Sequence, residues 1–155
     1  MKQLEWKSKR FDQLDNNQLY DLIKFRVNIF VVEQNCPYPE LDEKDRAIDA
    51  HHLIAYQNLN IAAYARLLPP GVSYPECSIG RFAVDASIRL QGIGSILMDK
   101  CFEQIAILWP DNDIKVSAQA HLKKFYGDFA FEQTSESYLE DGIPHIEMLK
   151  SKPHA

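Results

Sequence analysis

The chain has 155 residues, of which 46% are hydrophobic and 25% are charged, and its formal net charge is −5. This length favours a single domain over residues 1–155 with a substantial core, and the composition is typical of a soluble globular protein. The acidic balance argues against a general nucleic-acid-binding protein. No apolar run reaches the ~20 residues that span a bilayer, and the first residues lack the apolar core of a signal peptide, so we expect no membrane partner.

The three cysteines are odd in number and show no Cys-x-x-Cys spacing. This pattern indicates a reducing, cytoplasmic location rather than a disulfide framework. We expect Cys101 in a helix core and Cys77 in strand packing. Cys36 lies in a proline-flanked loop, where a structural role is favoured over that of a reactive thiol.

The first elements are a strand over 4–7, where apolar and polar residues alternate, and a helix over 17–31. Five apolar residues recur at helical spacing in the helix: Leu19, Leu22, Ile23, Ile29 and Phe30. Arg26 falls on the same apolar stripe, where a charge needs a partner. It therefore either anchors a loop carboxylate, which is the favoured interpretation, or contacts a substrate.

The segment 32–50 has no regular pattern, and its prolines exclude a continuous helix. Five acidic residues crowd into it: Glu33, Glu40, Asp42, Glu43 and Asp45. Loops of this length in compact domains are often functional or mobile. For each single acid, however, a solvated loop position is the favoured interpretation.

Two strands are predicted over 51–57 and 61–68, joined as a hairpin. In the second strand Tyr64 and Arg66 share one face, while the intervening small and apolar residues share the other. His51 and His52 are adjacent in the first strand and point to opposite faces. They cannot clamp one metal ion together, and the spacing argues against a zinc site.

The next predicted unit is a strand over 79–84, a loop, and a helix over 93–108 whose apolar residues recur at helical spacing. Gly92 and Gly94 lie where the loop becomes the helix. Glycine at this position lets a ligand approach the backbone and the first N–H groups of the helix.

The charges at this helix start are unusual, because no acid occurs between Asp85 and Asp99 and Arg89 is the only charged residue between them. A helix start normally favours Asp or Glu, so their absence indicates a place for a bound phosphate. The alternative is an ordinary capped helix after a glycine-rich turn. A P-loop is absent, and Leu97 occupies the place of the third glycine in a dinucleotide fingerprint.

The last predicted elements are a strand over 114–118, a short helix over 122–129, and strands over 132–139 and 145–150. Together the elements predict one α/β (α+β) domain with a mostly antiparallel sheet and one strand–helix–strand crossover.

Two motifs resemble the GNAT acetyltransferases. The run Arg89-Leu90-Gln91-Gly92-Ile93-Gly94 is similar to the family's coenzyme A loop, Arg/Gln-x-x-Gly-x-Gly/Ala, although Leu90 stands where glycine is frequent. Gln119 stands where the family has asparagine, and Phe125-Tyr126 follow as expected. Three blocks, 31–38, 118–121 and 140–145, resemble the ElaA-like branch of the family more narrowly.

The resemblance implies a GNAT acyl-CoA N-acyltransferase fold, with six to seven strands whose central pair splays apart and with helices on both sides. It implies acetyl-CoA as cosubstrate, an amine as acceptor and no metal ion. The cofactor-binding residues that it implies are Phe82, Ala83 and Val84 for pantetheine, Arg89, Leu90, Gln91, Gly92, Ile93, Gly94 and Ser95 for the pyrophosphate, and Gln119.

Tyr126 matches the family's general acid, which protonates the departing thiolate. The competing interpretation is that Tyr126 only packs beside Phe125. A base for the amine is not assigned, because the central strand offers no carboxylate. Four residues remain as substrate-binding or base candidates, beside a chain of water molecules: Glu33, His52, His121 and His145. For His121, capping of the following helix is an equal alternative.

The predicted function is transfer of an acetyl group to a primary amine of a small molecule or peptide by direct attack. A non-catalytic acyl-CoA sensor that uses the same pocket is the alternative. A thiol-regulated interaction protein acting through Cys36 is a third hypothesis. Family analogy also allows a homodimer through the late strands.

Overall fold

Eight strands form one mixed sheet in the computed structural model, which describes residues 3–152. In chain order they are β1 Glu5–Arg10, β2 His51–Gln57, β3 Asn60–Leu68, β4 Cys77–Val84, β5 Ile114–Gln119, β6 Glu132–Gln133, β7 Tyr138–Glu140 and β8 Ile143–Lys150. Their spatial order is β1-β2-β3-β4-β5-β8-β6, and β7 also pairs with β8. Within the described residues β4 and β5 run parallel and the other pairs are antiparallel. The predicted fold class is confirmed, with two very short strands raising the strand number to eight.

Three α-helices accompany the sheet: α1 Asn16–Val27, α2 Ile93–Leu108 and α3 Lys123–Gly127. Helix α1 begins with a capping box, in which the Asp15 carboxylate accepts the Gln18 N–H at 2.7 Å and the Gln18 side chain accepts the Asp15 N–H at 3.0 Å. The predicted helix to residue 31 is only partly correct, because the chain widens into a π-helical turn over Asn28–Glu33. No helix within residues 3–152 is both long enough and apolar enough to cross a bilayer.

The sheet carries an apolar core on each face. On the α2 face, Ala63, Ala65 and Leu67 of β3 pack with residues of α2, including the fully buried Cys101. On the α1 face, Tyr64 packs with Leu22 and neighbouring α1 residues. The alternation predicted for β3 is therefore observed.

The predicted strand over 132–139 is interrupted. Residues 134–137 leave the ladder between β6 and β7. The Ser135 hydroxyl accepts the Glu147 N–H at 2.9 Å, and Thr134 N–H donates to the Glu147 carbonyl at 2.9 Å. A side chain thus replaces a backbone partner of β8, which satisfies the ladder without a continuous strand.

Candidate active site

The parallel strands β4 and β5 separate soon after they meet. They pair only at Cys77 with Ile114 and at Ser78 with Lys115, after which β5 pairs with β8 alone. A bulge accompanies the divergence: Tyr64 is opposite Ala83 but Arg66 is opposite Gly80, so β4 carries an extra residue in the interval. The predicted splay of the central strands is therefore present.

A cavity of about 770 Å³ fills the gap between the two strands. Its walls come from β4, β5, the π-helical turn, the 32–50 loop and the turn between β7 and β8. Nine of the predicted site residues line it: Phe82, Ala83, Val84, Arg89, Gln119, Tyr126, Glu33, His121 and His145. The remaining pyrophosphate-loop residues lie beyond Arg89 at the start of α2, and His52 lies elsewhere in the fold.

The start of α2 has no cap and no acid of its own. Gly92 adopts a left-handed conformation, with φ of +79°, and no side chain caps the helix. A Cβ at this residue would meet nothing within 4 Å, so the backbone conformation rather than crowding requires glycine there. Leu90 also has a positive φ, +66°, although it is not glycine, and it is fully exposed. Ile93 points into the core, so only its backbone can face a ligand.

Arg89 forms an ion pair with an acid that is distant in the sequence, although the sequence immediately around Arg89 contains no acid. Its Nη2 donates to Glu33 Oε1 at 3.0 Å, and Nη1 contacts the other Glu33 oxygen. Its Nε donates to the Val84 carbonyl at 2.9 Å. The next residue after Glu33, Gln34, accepts a hydrogen bond from the side chain of Gln119 at 3.3 Å. Residues 33 and 34 therefore bridge the end of β5 and the loop that follows β4.

Tyr126 lies in α3 at the edge of the cavity and is almost fully buried. Its ring packs against Phe82, Phe125 and Phe131. The hydroxyl has no hydrogen-bond partner among the described residues, yet the side chain contributes to the cavity wall. Burial raises the pKa of this phenol above its ordinary value, so it keeps its proton at neutral pH. Tyr126 therefore both packs against its aromatic neighbours and lines the cavity.

His52 is removed from the candidate residues by its burial. It is fully inaccessible and does not line the cavity. Its Nε2 donates to the Asp45 carbonyl at 3.0 Å, so Nδ1 of the neutral ring accepts the Tyr64 hydroxyl at 2.6 Å. Burial lowers its pKa, which keeps the ring neutral. His121, by contrast, is exposed at the cavity wall.

The favoured interpretation of the acidic loop is wrong for three of its five acids. Glu40 and Asp45 are buried, and Asp42 is half-buried. They surround the guanidinium groups of Arg26, Arg66 and Arg81 and form ion pairs with them. We call this network of three arginines and three acids the arginine cluster.

Arg26 anchors the acidic loop, which is the favoured sequence interpretation. Its Nε donates to Glu40 Oε2 at 2.6 Å and its Nη1 to Asp45 Oδ1 at 2.6 Å. Burial alone would lower the pKa of Arg26, but the Tyr64, Asp45 and Glu40 groups outweigh it and raise the pKa. The cluster fixes the 32–50 loop as one wall of the cavity.

A second polar group, made of Ser117, Tyr138, Glu140 and His145, closes the opposite wall. Glu140 Oε2 lies 3.4 Å from His145 Nε2, and the Ser117 hydroxyl donates to Glu140 Oε1 at 3.3 Å. The Tyr138 ring stacks on the His145 ring with centroids 6.2 Å apart. The sequence singled out His145 as a candidate, whereas Glu140 was noted only as part of the 140–145 block, without a role of its own.

The three thiols are all buried. Burial raises the pKa of Cys77 to about 12 and also raises the pKa of Cys101. Cys36 lines the cavity, and its Sγ donates to the Asp141 carbonyl at 3.4 Å. Within residues 3–152 no group of three or more His, Cys, Asp or Glu side chains is arranged to hold a metal ion.

A parallel strand pair that opens into a cavity beside an uncapped helix start is the architecture of the acyl-CoA N-acyltransferase fold. Comparisons with known proteins agree with this class. Residues 30–152 match the family model described as an acetyltransferase (GNAT) domain. The chain is 40% identical over 147 residues to protein ElaA of Escherichia coli. The aligned region covers 95% of this chain and 96% of that protein.

Two crystal structures are also very similar. An acyl-CoA N-acyltransferase from Pseudomonas aeruginosa superposes with a TM-score of 0.93 and 41% identity, covering 96% of this chain and all of that one (100%). Escherichia coli ElaA superposes with a TM-score of 0.91 and 39% identity, covering 96% and 100%. The chain belongs to the GNAT acetyltransferase family, and the resemblance to ElaA seen in the sequence is confirmed.

Proposed function

We propose that this protein is an acetyl-CoA-dependent N-acetyltransferase that transfers the acetyl group to a primary amine by direct attack. The observation that carries the proposal is the splayed β4–β5 pair, whose open gap extends from Arg89, just before the uncapped start of α2, to the side chain of Tyr126. An extended pantetheine arm fits such an open strand edge, because it can pair with the backbone of β4. GNAT enzymes in general use an acyl-CoA donor and an amine acceptor, and the acetyl group and the primary amine are the finer parts of this proposal.

The start of α2 suits a diphosphate for three reasons. Its first N–H groups have no side-chain cap, its first turn has no acid, and Gly92 leaves open space beside the backbone. Arg89 adds a cation once its contact with Glu33 is released. The residues proposed to hold the pyrophosphate are therefore Arg89 to Ser95, acting mainly through their backbone.

Tyr126 is proposed as the general acid. The leaving thiolate needs a proton, and a phenol whose pKa is raised by burial holds one at neutral pH. A backbone N–H near Val84 is proposed to polarise the thioester carbonyl, a contact that contributes ~3 kcal/mol in comparable oxyanion sites. Direct attack by the amine requires no enzyme nucleophile.

The test combines calorimetry of acetyl-CoA binding with release of free coenzyme A across a panel of primary amines. We expect binding and amine-dependent release, and a Tyr126→Phe variant should lower kcat about 100-fold without changing the Kd for acetyl-CoA. Tyr20→Phe, which alters an exposed phenol, is the matched control. Unchanged turnover in Tyr126→Phe would exclude the acid role, and tight binding without release for any amine would favour an acyl-CoA sensor.

A further inference from the structure

The cavity contains four carboxylates, and they differ in whether a cation already neutralises them. Glu33 contacts Arg89, and Asp42 contacts Arg66 and Arg81. Glu140 has no lysine or arginine partner among the described residues; its contacts are the Ser117 hydroxyl and the His145 imidazole. The fourth, Asp141, is exposed like Glu140, and its side chain has neither an ion-pair partner nor an imidazole contact among the described residues.

The hydrogen bonds of His145 define which nitrogen carries its proton. Nδ1 lies 2.7 Å from the Ile143 carbonyl oxygen, which can only accept, so Nδ1 is the protonated nitrogen. In the neutral ring Nε2 therefore carries a lone pair. That lone pair faces Glu140 Oε2, another acceptor, across 3.4 Å. His145 Nε2 and Glu140 Oε2 can therefore both accept a hydrogen bond from one donor group that binds between them.

Both groups are held in position by their neighbours. Ser117 occupies one Glu140 oxygen and leaves the other toward His145. His145 is buried, its ring stacks on Tyr138, and it is the Cα partner of Gln119, the last residue of β5. The pair thus lines the same cavity as Tyr126, which lies in the helix that follows β5.

We infer that Glu140 and His145 form the acceptor site, in which Glu140 binds the ammonium group of a primary amine and His145 Nε2 takes its proton. This inference rests on the proposed function and extends it to the residues that bind and deprotonate the acceptor. A carboxylate is the natural partner of an ammonium ion, and an uncharged imidazole lone pair beside it accepts one proton.

The proton balance of the reaction is complete with these residues. The ammonium gives one proton to His145 Nε2, and the free amine then forms the C–N bond with the thioester carbon. As the C–S bond breaks, Tyr126 gives its proton to the sulfur, and the proton lost from the new amide nitrogen restores the phenol through water. The proton on His145 passes to solvent, so each turnover releases one proton.

The test measures amine binding separately from turnover. In the presence of coenzyme A, the affinities of benzylamine and hexylamine are compared by calorimetry with those of benzyl alcohol and hexanol. We expect the wild-type protein to prefer each amine over its alcohol by at least about 10-fold, and Glu140→Gln to abolish the preference, since hydrogen bonds to charged groups have this strength. Asp141→Asn and Glu136→Gln, which remove carboxylates close to Glu140 in the sequence, should keep it.

The role of His145 is tested with His145→Asn, which retains a donor for the Ile143 carbonyl but lacks Nε2. We expect kcat to fall about 100-fold or more while the amine affinity changes less than about 3-fold. His51→Asn is the matched control, because His51 makes the same bond to a carbonyl two residues earlier, at 2.8 Å, outside the cavity. Thermal unfolding of each variant verifies its fold.

Four outcomes overturn the inference: no wild-type preference for amines over alcohols, an unchanged preference in Glu140→Gln, an equal loss in Asp141→Asn, or unchanged kcat in His145→Asn. Different outcomes would contradict the proposed transferase function, so the two failures can be told apart. Amine binding that depends on Glu140, without release of coenzyme A from acetyl-CoA, supports the amine site and excludes the reaction. Release of coenzyme A that is unaffected in both variants supports the reaction and excludes the site.

Discussion

The ion pair between Asp42 and Arg66 allows a quantitative prediction for the arginine cluster. Arg66 Nη1 and Nη2 each donate to one Asp42 oxygen at 2.8 Å, and Arg81 Nη2 lies 3.5 Å from the same carboxylate. Burial alone would raise the pKa of Asp42, but the hydrogen bonds and charge of Arg66 outweigh it and lower the pKa from 3.8 to about 2. We predict that Asp42→Asn lowers the free energy of unfolding by ~2 kcal/mol at pH 7, since one pKa unit corresponds to about 1.4 kcal/mol.

The pH dependence of this loss follows from the direction of the pKa change. A carboxylate whose pKa is lowered by folding stabilises the folded state fully at pH values above its unfolded pKa, and the contribution disappears as the pH falls through its folded pKa. The difference in unfolding free energy between wild type and Asp42→Asn should therefore be constant from pH 7 to about 5. It should shrink below about pH 4 and disappear only below about pH 2.

Urea unfolding followed by tryptophan fluorescence at several pH values from 7 to about 3 measures this difference, and urea leaves the ionic strength unchanged. Glu43→Gln is the control, because Glu43 lies in the same loop but forms only an exposed contact with Arg46. Exposed pairs of this kind contribute little. A loss below ~0.5 kcal/mol at pH 7, or one that does not change with pH, would refute the argument.

Three further changes test the neighbouring features. Gly92→Ala should weaken acetyl-CoA binding about 5-fold or more, because a left-handed conformation costs ~1–2 kcal/mol for alanine. Leu90→Gly should not weaken binding. Calorimetry compares the two variants, and weaker binding in Leu90→Gly than in Gly92→Ala would contradict this explanation. Glu33→Gln should strengthen acetyl-CoA binding by up to about 5-fold by releasing Arg89, since a partly exposed ion pair contributes ~0–1 kcal/mol. Weaker binding in that variant would show that Glu33 supports the ligand. The Cys77 thiol, with its pKa raised to about 12, should react with a disulfide reagent only after urea unfolding, and rapid reaction of the folded protein would contradict its burial.

Local patterns in the sequence were sufficient for most of the elements. The strand over His51–Gln57 and the helix over Ile93–Leu108 agree with prediction, because alternation, helical spacing and glycine at a helix start are properties of neighbouring residues. The strand over 132–139 was predicted too long, and the helix over 17–31 was predicted as one regular helix although its last turn is π-helical. In both, contacts from elsewhere in the chain or a change of helix type ended the regular pattern.

The family was also visible before the fold, because its motifs are runs of consecutive residues. The surroundings of individual side chains could not be predicted from the sequence. Glu40 and Asp45 lie in a loop with no local sign of burial, yet both meet Arg26, which is 14 and 19 residues away.

The pairing of strands decided which side chains meet in the cavity. His145 faces Glu140 only because β7 and β8 pair in one register, and a shift of a single residue would turn His145 to the other face of the sheet. His52 and His145 look equivalent in the sequence and both are buried, but both ring nitrogens of His52 are hydrogen-bonded away from the cavity, whereas His145 lines the cavity wall. Local spacing determines secondary structure, whereas burial and charge pairing depend on residues that only the folded chain brings together.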